Sequence, residues 1–352
     1  MEIIVPAAGS SSRFPQMKPK YLLYDYAHKN MVHRAIEPFL DEVFTDERKF
    51  KKYNITIGIL KEHADKHEAE LFLKHEFGDR VNVVVLNQPT KGPADTVYQI
   101  IKKAKIKLDS EILVKDCDSF FDHEITEGNY VCVSNISEHK VLKKLASKSF
   151  VVSNENGIIT NIVEKSVVSD TFCVGGYKFD SAKLFCDNYK QLEMEQEVFV
   201  SDVIQRCMYN GEIFTRKRVK KYIDVGTAED WFEYNDKPVI FCDIDGTILV
   251  SQNKVGKNNY NNETQPLQEN VNKLLECQKN GCQLIFTTAR ERNVEGRTRQ
   301  QLEGLGFKFY TLIMNLQNSR RILINDFNPW TPYPRAEAIN IKRNTNELLR
   351  YL

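Results

Sequence analysis

The sequence predicts an α/β protein of two domains, and three observations carry that prediction. Apolar runs of strand length repeatedly end in a short polar or small-residue loop that leads into helix-forming sequence, as at Met1–Ala8, Val81–Leu86 and Val239–Asp243. The chain has 352 residues, more than one hydrophobic core ordinarily organises, since cores stop growing at roughly 250–300 residues. Two carboxylate-bearing stretches, Tyr222–Asp230 and Val239–Ile248, flank a short connection without Gly/Ser or Pro-rich linker composition. The first reads as the end of one site and the second as the start of another, which sets the expected domains at 1–234 and 238–352.

Composition narrows the function classes. Hydrophobic residues make up 41% and charged residues 28%, with a net charge of +1, so neither a nucleic acid nor an anionic membrane is an expected partner. The basic clusters Lys102-Lys103 and Arg216–Lys221 read as solvated faces. Eight cysteines are scattered without a Cys-x-x-Cys pair, several of them inside apolar runs, which suits buried thiols in a reducing compartment. No apolar stretch is long enough to span a bilayer, and the chain starts with a strand rather than a signal peptide. A cytoplasmic protein is the expectation. Nothing in the sequence decides whether it forms a homo-oligomer.

The strand Met1–Ala8 runs into Gly9-Ser10-Ser11-Ser12-Arg13 and then Pro19-Lys20. A strand ending in small residues offers backbone N–H groups to phosphate oxygens, here at Ala8, Gly9 and Ser10. Arg13 and Lys20 add the positive charge that a triphosphate requires. No Gly-Lys-Ser/Thr follows, so this is not a P-loop. A strand–turn with surface cations is the plain structural alternative.

Ile55–Leu60 reads as a strand, followed by a charged helix over Glu62–Phe77. His63 and His67 share a face of that helix, but without a third ligand a solvated helix is the better reading. Val81–Leu86 ends at Gln88-Pro-Thr-Lys-Gly92, and a helix from Ala94 repeats the phosphate-loop arrangement. Glu111–Lys115 runs into Asp116-Cys117-Asp118. Ligands gather at the carboxyl ends of strands in open α/β sheets, and oxygen donors suit Mg²⁺. Asp116 and Asp118 lie on the same side of an extended chain, so the residues alone leave both as candidates. Phe150–Val163 reads as a hairpin turning at Asn156-Gly157, with Glu164-Lys165 after it.

Six segments in this order resemble the sugar-phosphate nucleotidyltransferases, also called nucleoside-diphosphate-sugar pyrophosphorylases. They are Gly9…Arg13…Pro19-Lys20, Gln88…Gly92, Asp118 followed by Phe120-Phe121, Glu164-Lys165, Gly175-Gly176-Tyr177-Lys178-Phe179, and Asp224. Ser11 stands where that family usually has a second glycine. The resemblance covers about residues 1–234 and implies a Rossmann-like mixed sheet in a three-layer α/β/α sandwich. It also implies that a sugar or polyol phosphate attacks the α-phosphorus of an NTP and expels pyrophosphate. Such a transfer depends on positioning and charge neutralisation more than on a general base. By resemblance, Arg13 meets the leaving pyrophosphate and Lys20 the triphosphate, while Lys165 holds the attacking phosphate. Glu164 meets sugar hydroxyls, with Gly176 in the same substrate segment; Gln88 and Gly92 meet the base, Gln88 leaning toward a pyrimidine. Asp118 aligns with one Mg²⁺ ligand and Asp224 with the other.

Val239-Ile-Phe-Cys-Asp243-Ile-Asp245-Gly-Thr247 is the sharpest single motif of the chain. A buried strand ejects Asp243 at its end, and alternation puts Asp245 on the same side. One carboxylate can attack phosphorus while the other handles the proton. The chain has no histidine after His139, so carboxylates must carry any acid–base work here. The motif resembles the first motif of the haloacid dehalogenase phosphatases. Thr288, in the run Gln283–Arg290 that reads as a strand ending in a hydroxyl, matches their second motif, and Asp326, after the expected strand Arg321–Asn325, matches the fourth as a Mg²⁺ ligand. Asp243 and Asp245 would share that metal; the family's third-motif lysine is not evident, and Arg320 and Arg321 occupy its region. The resemblance covers about residues 238–352 and implies a parallel three-layer α/β/α sheet. Between the first two motifs lie only the loop 251–265 and a helix over Pro266–Asn280, too short for a cap domain. An irregular segment, Asn328–Pro334, a strand at Ala338–Ile341 and a last helix are expected to close the chain.

The leading expectation is a two-headed, Mg²⁺-dependent enzyme: a nucleotidyltransferase followed by a capless phosphatase. Two rivals stand beside it. Asp116-Cys117-Asp118 could be the DxD of a glycosyltransferase, which the Arg13…Lys20 loop argues against. Alternatively, the second domain could be a regulatory or binding module without turnover.

Overall fold

The computed structural model of the protein describes residues 1–40, 42–45, 48–51, 53–139, 145–193, 196–251, 264–326 and 335–352, with 42–45 and 48–51 as backbone. The irregular segment expected at Asn328–Pro334 and most of the loop 251–265 lie outside the described residues. The chain divides into two compact units, Met1–Asn235 and Asp236–Leu352.

In the first unit β1 (Glu2–Pro6) is followed by α1 (Met31–Ile36), a hairpin of β2 (Glu42–Thr45) and β3 (Arg48–Lys51), and β4 (Asn54–Leu60). Helices α2 (Lys61–His67) and α3 (Ala69–Phe77) lead to β5 (Val81–Leu86), and α4 (Pro93–Lys103) leads to β6 (Ile112–Lys115) and β7 (Ser119–Asp122). Next come β8 (Tyr130–Asn135), β9 (Phe150–Ser153), β10 (Ile159–Val163) and the long β11 (Thr171–Phe179). Helices α5 (Ala182–Tyr189) and α6 (Val200–Tyr209), strands β12 (Thr215–Arg218) and β13 (Lys220–Asp224), and α7 (Ala228–Asn235) complete the unit.

The main sheet is mixed. β6, β1, β4 and β5 run parallel in that order, and β11 joins β6 antiparallel and carries β8 and β9. From β1 the chain steps to β4 and β5, then returns to the other side of β1 to form β6. The carboxyl ends of β1 and β6 are therefore the topological switch point, where open α/β sheets bind ligands. Alternation along the strands builds two cores. Ile4, Ile112 and Val114 pack with Val97 of α4, Phe185 of α5 and Val203 of α6. Ile3, Val5 and Leu113 pack with Val32 of α1 and with Leu73 and Phe77 of α3. The sheet is thus the middle of three layers, each fully buried aliphatic contributing about 1.5–3 kcal/mol.

The hairpin of β9 and β10 forms as expected, with Gly157 at φ 77° and Asn154 Oδ1 accepting from Ile158 N at 3.0 Å. The single helix expected over Glu62–Phe77 is instead two helices, because Glu68 sits in the left-handed region at φ 52°. The break lets α3 bury Ala69, Leu73 and Phe77 while His63 of α2 reaches the Tyr21 hydroxyl at 3.3 Å. His63 is therefore a core side chain.

The second unit has a parallel sheet in the order β14 (Val239–Asp243), β15 (Gln283–Thr287), β16 (Thr311–Ile313), with α8 (Gln268–Lys279) and α9 (Glu295–Gly304). Cys242, Leu284 and Phe286 pack against Val271 and Leu274 of α8 and Leu302 of α9. Val239 and Phe241, on the opposite face of β14, are about half exposed. Among the described residues this sheet is covered on one face, where three layers were expected. The strand expected at Arg321–Asn325 does not form either: among the described residues the segment has no ladder partner, and Ile322, Leu323 and Ile324 are 68%, 54% and 91% exposed. Its first residue turns back on the chain, Arg321 Nη1 donating to Gln317 O at 3.2 Å and Ser319 O at 2.5 Å. Ala338–Ile341 is likewise not a strand, and the closing helix is only a 3₁₀ turn at Leu348–Arg350. Among the described residues no helix is long and apolar enough to cross a membrane. All eight cysteines are described and free, six of them buried.

Candidate active sites

Past β1 the chain enters a loop in which Ala8 is buried and Gly9 and Ser10 are exposed. Ser11 adopts φ 54°, the left-handed conformation that a glycine takes with least strain. It is held there by two hydrogen bonds: Phe14 N donates to Ser11 O at 2.8 Å and Lys20 N donates to Ser11 Oγ at 3.2 Å. These bonds fold the loop so that Lys20 Nζ donates to Asp118 Oδ2, at the carboxyl end of β6. Arg13, more than half exposed, stands 3.7 Å from the same oxygen.

Asp118 lies in a tight turn between β6 and β7 that a buried lysine closes from beneath. Lys115 Nζ donates to Asp116 O and Ser119 O, each at 2.6 Å, and to Ser119 Oγ at 3.0 Å. Burial pushes this ammonium down to about 8, with the Asp116 and Asp118 charges opposing. The antiparallel pair β7–β13 sets Asp224 opposite Ser119, and Val225 N donates to Asp118 O at 2.9 Å. A Cβ built on Gly226 would lie 3.2 Å from Asp224 Oδ1 and 3.5 Å from both Asp118 Oδ2 and Arg13 Nη1. Arg13, Lys20, Asp118 and Asp224, far apart in the chain, thus converge at the switch point.

The two aspartates of the turn are not alike. Burial raises Asp118, but the Lys20 ammonium with its hydrogen bond, and then Arg13, overcomes burial and holds it far below the usual carboxylate range. Burial and the neighbouring Asp118 charge push Asp116 up to about 6. A Cβ on Gly175 would meet the Asp116 carboxylate at 2.5 Å, so the glycine there is required by close approach. Asp118 is therefore the more acidic of the pair and Asp116 its packed neighbour.

Lys148 was not legible as a site residue. Its Nζ donates to Asp224 Oδ2 and to the Tyr222 hydroxyl, the latter at 2.9 Å. Its carbonyl accepts from Lys165 N at 3.1 Å, and Ser149 Oγ donates to Glu164 Oε2, which also accepts from Ser201 Oγ at 2.7 Å. Residues 148–149 thereby tie the Glu164-Lys165 pair to the acidic centre. Lys165 has φ 55°, and its ammonium sits 4.3 Å from the Phe199 ring centroid and 3.7 Å from Glu197.

Gln88 is exposed at the mouth of the loop before α4. Gly92 has φ 126°, and a Cβ there would strike Val198 O at 2.6 Å. Asp95, also unremarked in the sequence, steadies this loop by accepting from Lys91 N at 2.9 Å. Gly176 faces inward: its Cβ position is filled by Cys132 Sγ at 2.8 Å and Phe121 at 2.9 Å. It is a packing glycine, and Gly175 is the one against a site carboxylate.

In the second unit Asp243 ends β14 in register with Thr287 of β15. Burial, then the Asp245 charge, raises its carboxyl, with Arg321 and Arg343 opposing. Asp245 is gripped by a buried arginine: Arg290 Nε donates to Oδ2 at 2.8 Å and Nη2 to Oδ1 at 2.7 Å. Arg290 is 1% exposed and also donates to Thr298 Oγ1 and Gln301 Oε1. Thr288 is buried, its hydroxyl accepting from Arg290 N at 3.1 Å. Asp326 is not brought to this group by any described contact; it is 74% exposed and ion-paired with Arg335 at 3.3 Å. Arg343 is a second cation that the sequence reading missed. A Cβ on Gly246, in the loop after Asp245, would strike its Cγ at 2.7 Å, and Asn344 N donates to Gly246 O at 2.8 Å. Among the described residues no group of three or more His, Cys, Asp or Glu side chains is arranged to hold a metal ion.

No protein-family model matches the chain, and no curated protein does. Solved structures do. The nucleoside-diphosphate-sugar pyrophosphorylase of Vibrio cholerae RC9 superposes with a TM-score of 0.53 at 16% identity, over 66% of this chain and 98% of its own. The inositol-1-phosphate CTP transferase of T. maritima gives 0.52 at 15% identity, over 65% and 90%. A provisionally assigned glucose-1-phosphate thymidylyltransferase of Bacillus anthracis, in complex with a sucrose, gives 0.50 at 20%, over 65% and 91%. At such identities the likeness is one of fold. Some two thirds of the chain has the mixed α/β fold of these nucleotidyltransferases, a share close to that of residues 1–235.

Proposed function

We propose that residues 1–235 transfer a nucleotidyl group from an NTP to a sugar or polyol phosphate and release pyrophosphate. The observation that carries this reading is the meeting of Arg13, Lys20, Asp118 and Asp224 at the carboxyl ends of β1 and β6. The proteins whose fold the chain shares carry descriptions of that chemistry, which supports the same reading. Arg13 and Lys20 neutralise the triphosphate, and the backbone of Ala8, Gly9 and Ser10 lies against it. Lys165 draws the acceptor phosphate, and Glu164 takes hydroxyl protons. Asp118 and Asp224 fit Mg²⁺: two hard oxygen donors at a cationic phosphate pocket suit an ion that keeps several waters. When bound, the ion would neutralise charge on the phosphate oxygens. Gln88 favours a pyrimidine base. The test is a matrix of the four NTPs against sugar and polyol phosphates, scored for pyrophosphate. Release in no combination, or transfer of a sugar from a nucleotide sugar instead, would refute the reading.

For residues 236–352 we infer hydrolysis of a phosphomonoester, with Asp243 as nucleophile at the end of β14. Asp245 keeps its orientation through Arg290, Thr288 closes the strand end beside it, and Arg321 and Arg343 are the cations that act on the Asp243 carboxyl. The described donors do not fit a Mg²⁺ site, since Arg290 takes both oxygens of Asp245 and Asp326 is turned to Arg335. Phosphate release from phosphomonoesters by the full chain, lost in Asp243→Asn, tests this. A binding module would release none.

A further inference from the structure

Each of the two carboxylates assigned to the divalent ion is held by a lysine, Asp118 by Lys20 and Asp224 by Lys148. Lys20 was expected at a phosphate; Lys148 was not expected at all. Its side chain is 11% exposed, lying among the rings of Phe172 and Tyr222, with the Asp224 carboxylate and Tyr222 hydroxyl as its described polar partners. It is not a surface lysine that wandered onto an acid. Its main chain is fixed on both sides, Lys148 N donating to Leu145 O and Lys148 O accepting from Lys165 N, each at 3.1 Å. The ammonium therefore sits on a carboxylate oxygen assigned to the divalent ion, and the main chain of Lys148 is hydrogen-bonded to that of Lys165, the lysine proposed to draw the acceptor phosphate.

We propose that Lys148 stands in for the metal: it neutralises Asp224 while the site is empty and turns to the acceptor phosphate when the divalent ion takes Asp224. This rests on the nucleotidyltransferase reading of the first unit. Two cations cannot both sit against one carboxylate oxygen without repulsion, so ammonium and metal compete. A released ammonium inside a half-buried pocket then needs an anion, and a phosphate dianion supplies one. The consequence runs against intuition: removing a positive charge from the site weakens phosphate binding but tightens metal binding.

The test uses the full chain and Mn²⁺ alone, with affinity read from the electron paramagnetic resonance of the free ion. The part of the binding lost in Asp224→Asn belongs to this site. Lys148→Met is expected to bind that Mn²⁺ roughly fivefold or more tightly, the lower range of coupling between two ligands that exclude each other. Lys148→Arg keeps the charge and is expected to stay near the native affinity. With Mn²⁺ saturating, inorganic phosphate is expected to bind Lys148→Met more weakly by calorimetry. Unchanged or weaker Mn²⁺ binding in Lys148→Met overturns the proposal, and tighter Mn²⁺ with unchanged phosphate overturns the handover. Lys148→Gln gives the same readings if the methionine variant does not fold. These titrations need no turnover. Tighter Mn²⁺ with weaker phosphate in a protein that releases no pyrophosphate would sustain the inference and sink the proposed activity.

Discussion

Replacing Gly92 by alanine asks two things of the loop that carries Gln88. The backbone there has φ 126° and ψ 179°, a region that only glycine enters freely, and holding alanine in it costs about 1–3 kcal/mol. The new Cβ would also lie 2.6 Å from Val198 O and 2.8 Å from Val198 N. Those are backbone atoms that cannot swing aside, because Val198 N donates to Lys91 O at 2.8 Å and Ala94 N donates to Val198 O at 3.1 Å. Overpacking of this kind adds about 1–3 kcal/mol. The sum, about 2–6 kcal/mol, corresponds to a fall in Tm of roughly 5–20 °C for a unit of this size. Gly9 is the control. Its Cβ position has nothing within 4 Å and its φ is not positive, so Gly9→Ala should leave Tm within about 1–2 °C. Yet Gly9 lies where the triphosphate is proposed to touch the backbone, so Gly9→Ala should raise the KM for NTP. Thermal unfolding of both variants beside NTP kinetics is the assay. Equal Tm losses in the two variants, or a Gly92→Ala fall under about 2 °C, would refute the reasoning.

Four further outcomes are expected. Asp118→Asn should lower nucleotidyl transfer by about 100-fold or more, and Asp116→Asn by far less, as steady-state pyrophosphate release will tell; the reverse order would move the metal role to Asp116. His123 donates to or accepts from the Tyr130 hydroxyl at 2.8 Å, and burial, then Lys217 and Lys115, pushes it down to about 4. Its folded value lies below its unfolded one, so the stability it adds is complete above the unfolded pKa near 6.5 and is lost as pH falls toward 4; His123→Gln should flatten the Tm–pH curve in that window. Arg290→Met strips the buried partner from Asp245 and should cost the second unit about 3–5 kcal/mol in denaturant unfolding, with Arg290→Lys recovering only part. Asp243→Asn should abolish phosphate release and leave pyrophosphate release near native; loss of both in a folded protein would contradict two independent sites.

What could be read from the sequence was what a strand imposes on its neighbours. Ile3, Ile4 and Val5 had to sit in a sheet, and a sheet of that kind binds at its carboxyl ends, which marked the Gly9–Arg13 loop and the Asp116–Asp118 turn as candidates, while the choice of Asp118 came from the family resemblance. Asp224 was reached through the family resemblance alone. Ser11 shows how a departure from the expected glycine is absorbed: the residue keeps the left-handed backbone and offers its hydroxyl to Lys20 N in return. Lys148 gave no such signal. It lies between two serines, Ser147 and Ser149, and its meaning comes from Asp224, 76 positions away.

The second unit exposes the limit from the other side. Arg321–Asn325 has every local mark of a buried strand, three branched or bulky apolar residues between polar ends. Yet a strand is a statement about a partner: without a ladder its N–H and C=O groups go to water, and Ile322, Leu323 and Ile324 remain in solvent. Asp243 and Asp245 stayed where their motif put them, because β15 pairs with β14 in register and Arg290 reaches across to fix the second carboxylate. Local pattern therefore located the residues whose neighbours lie within one strand–turn unit. Where the deciding partner was a distant lysine, or a pairing that did not form, composition and periodicity were silent, since both are blind to which segments meet.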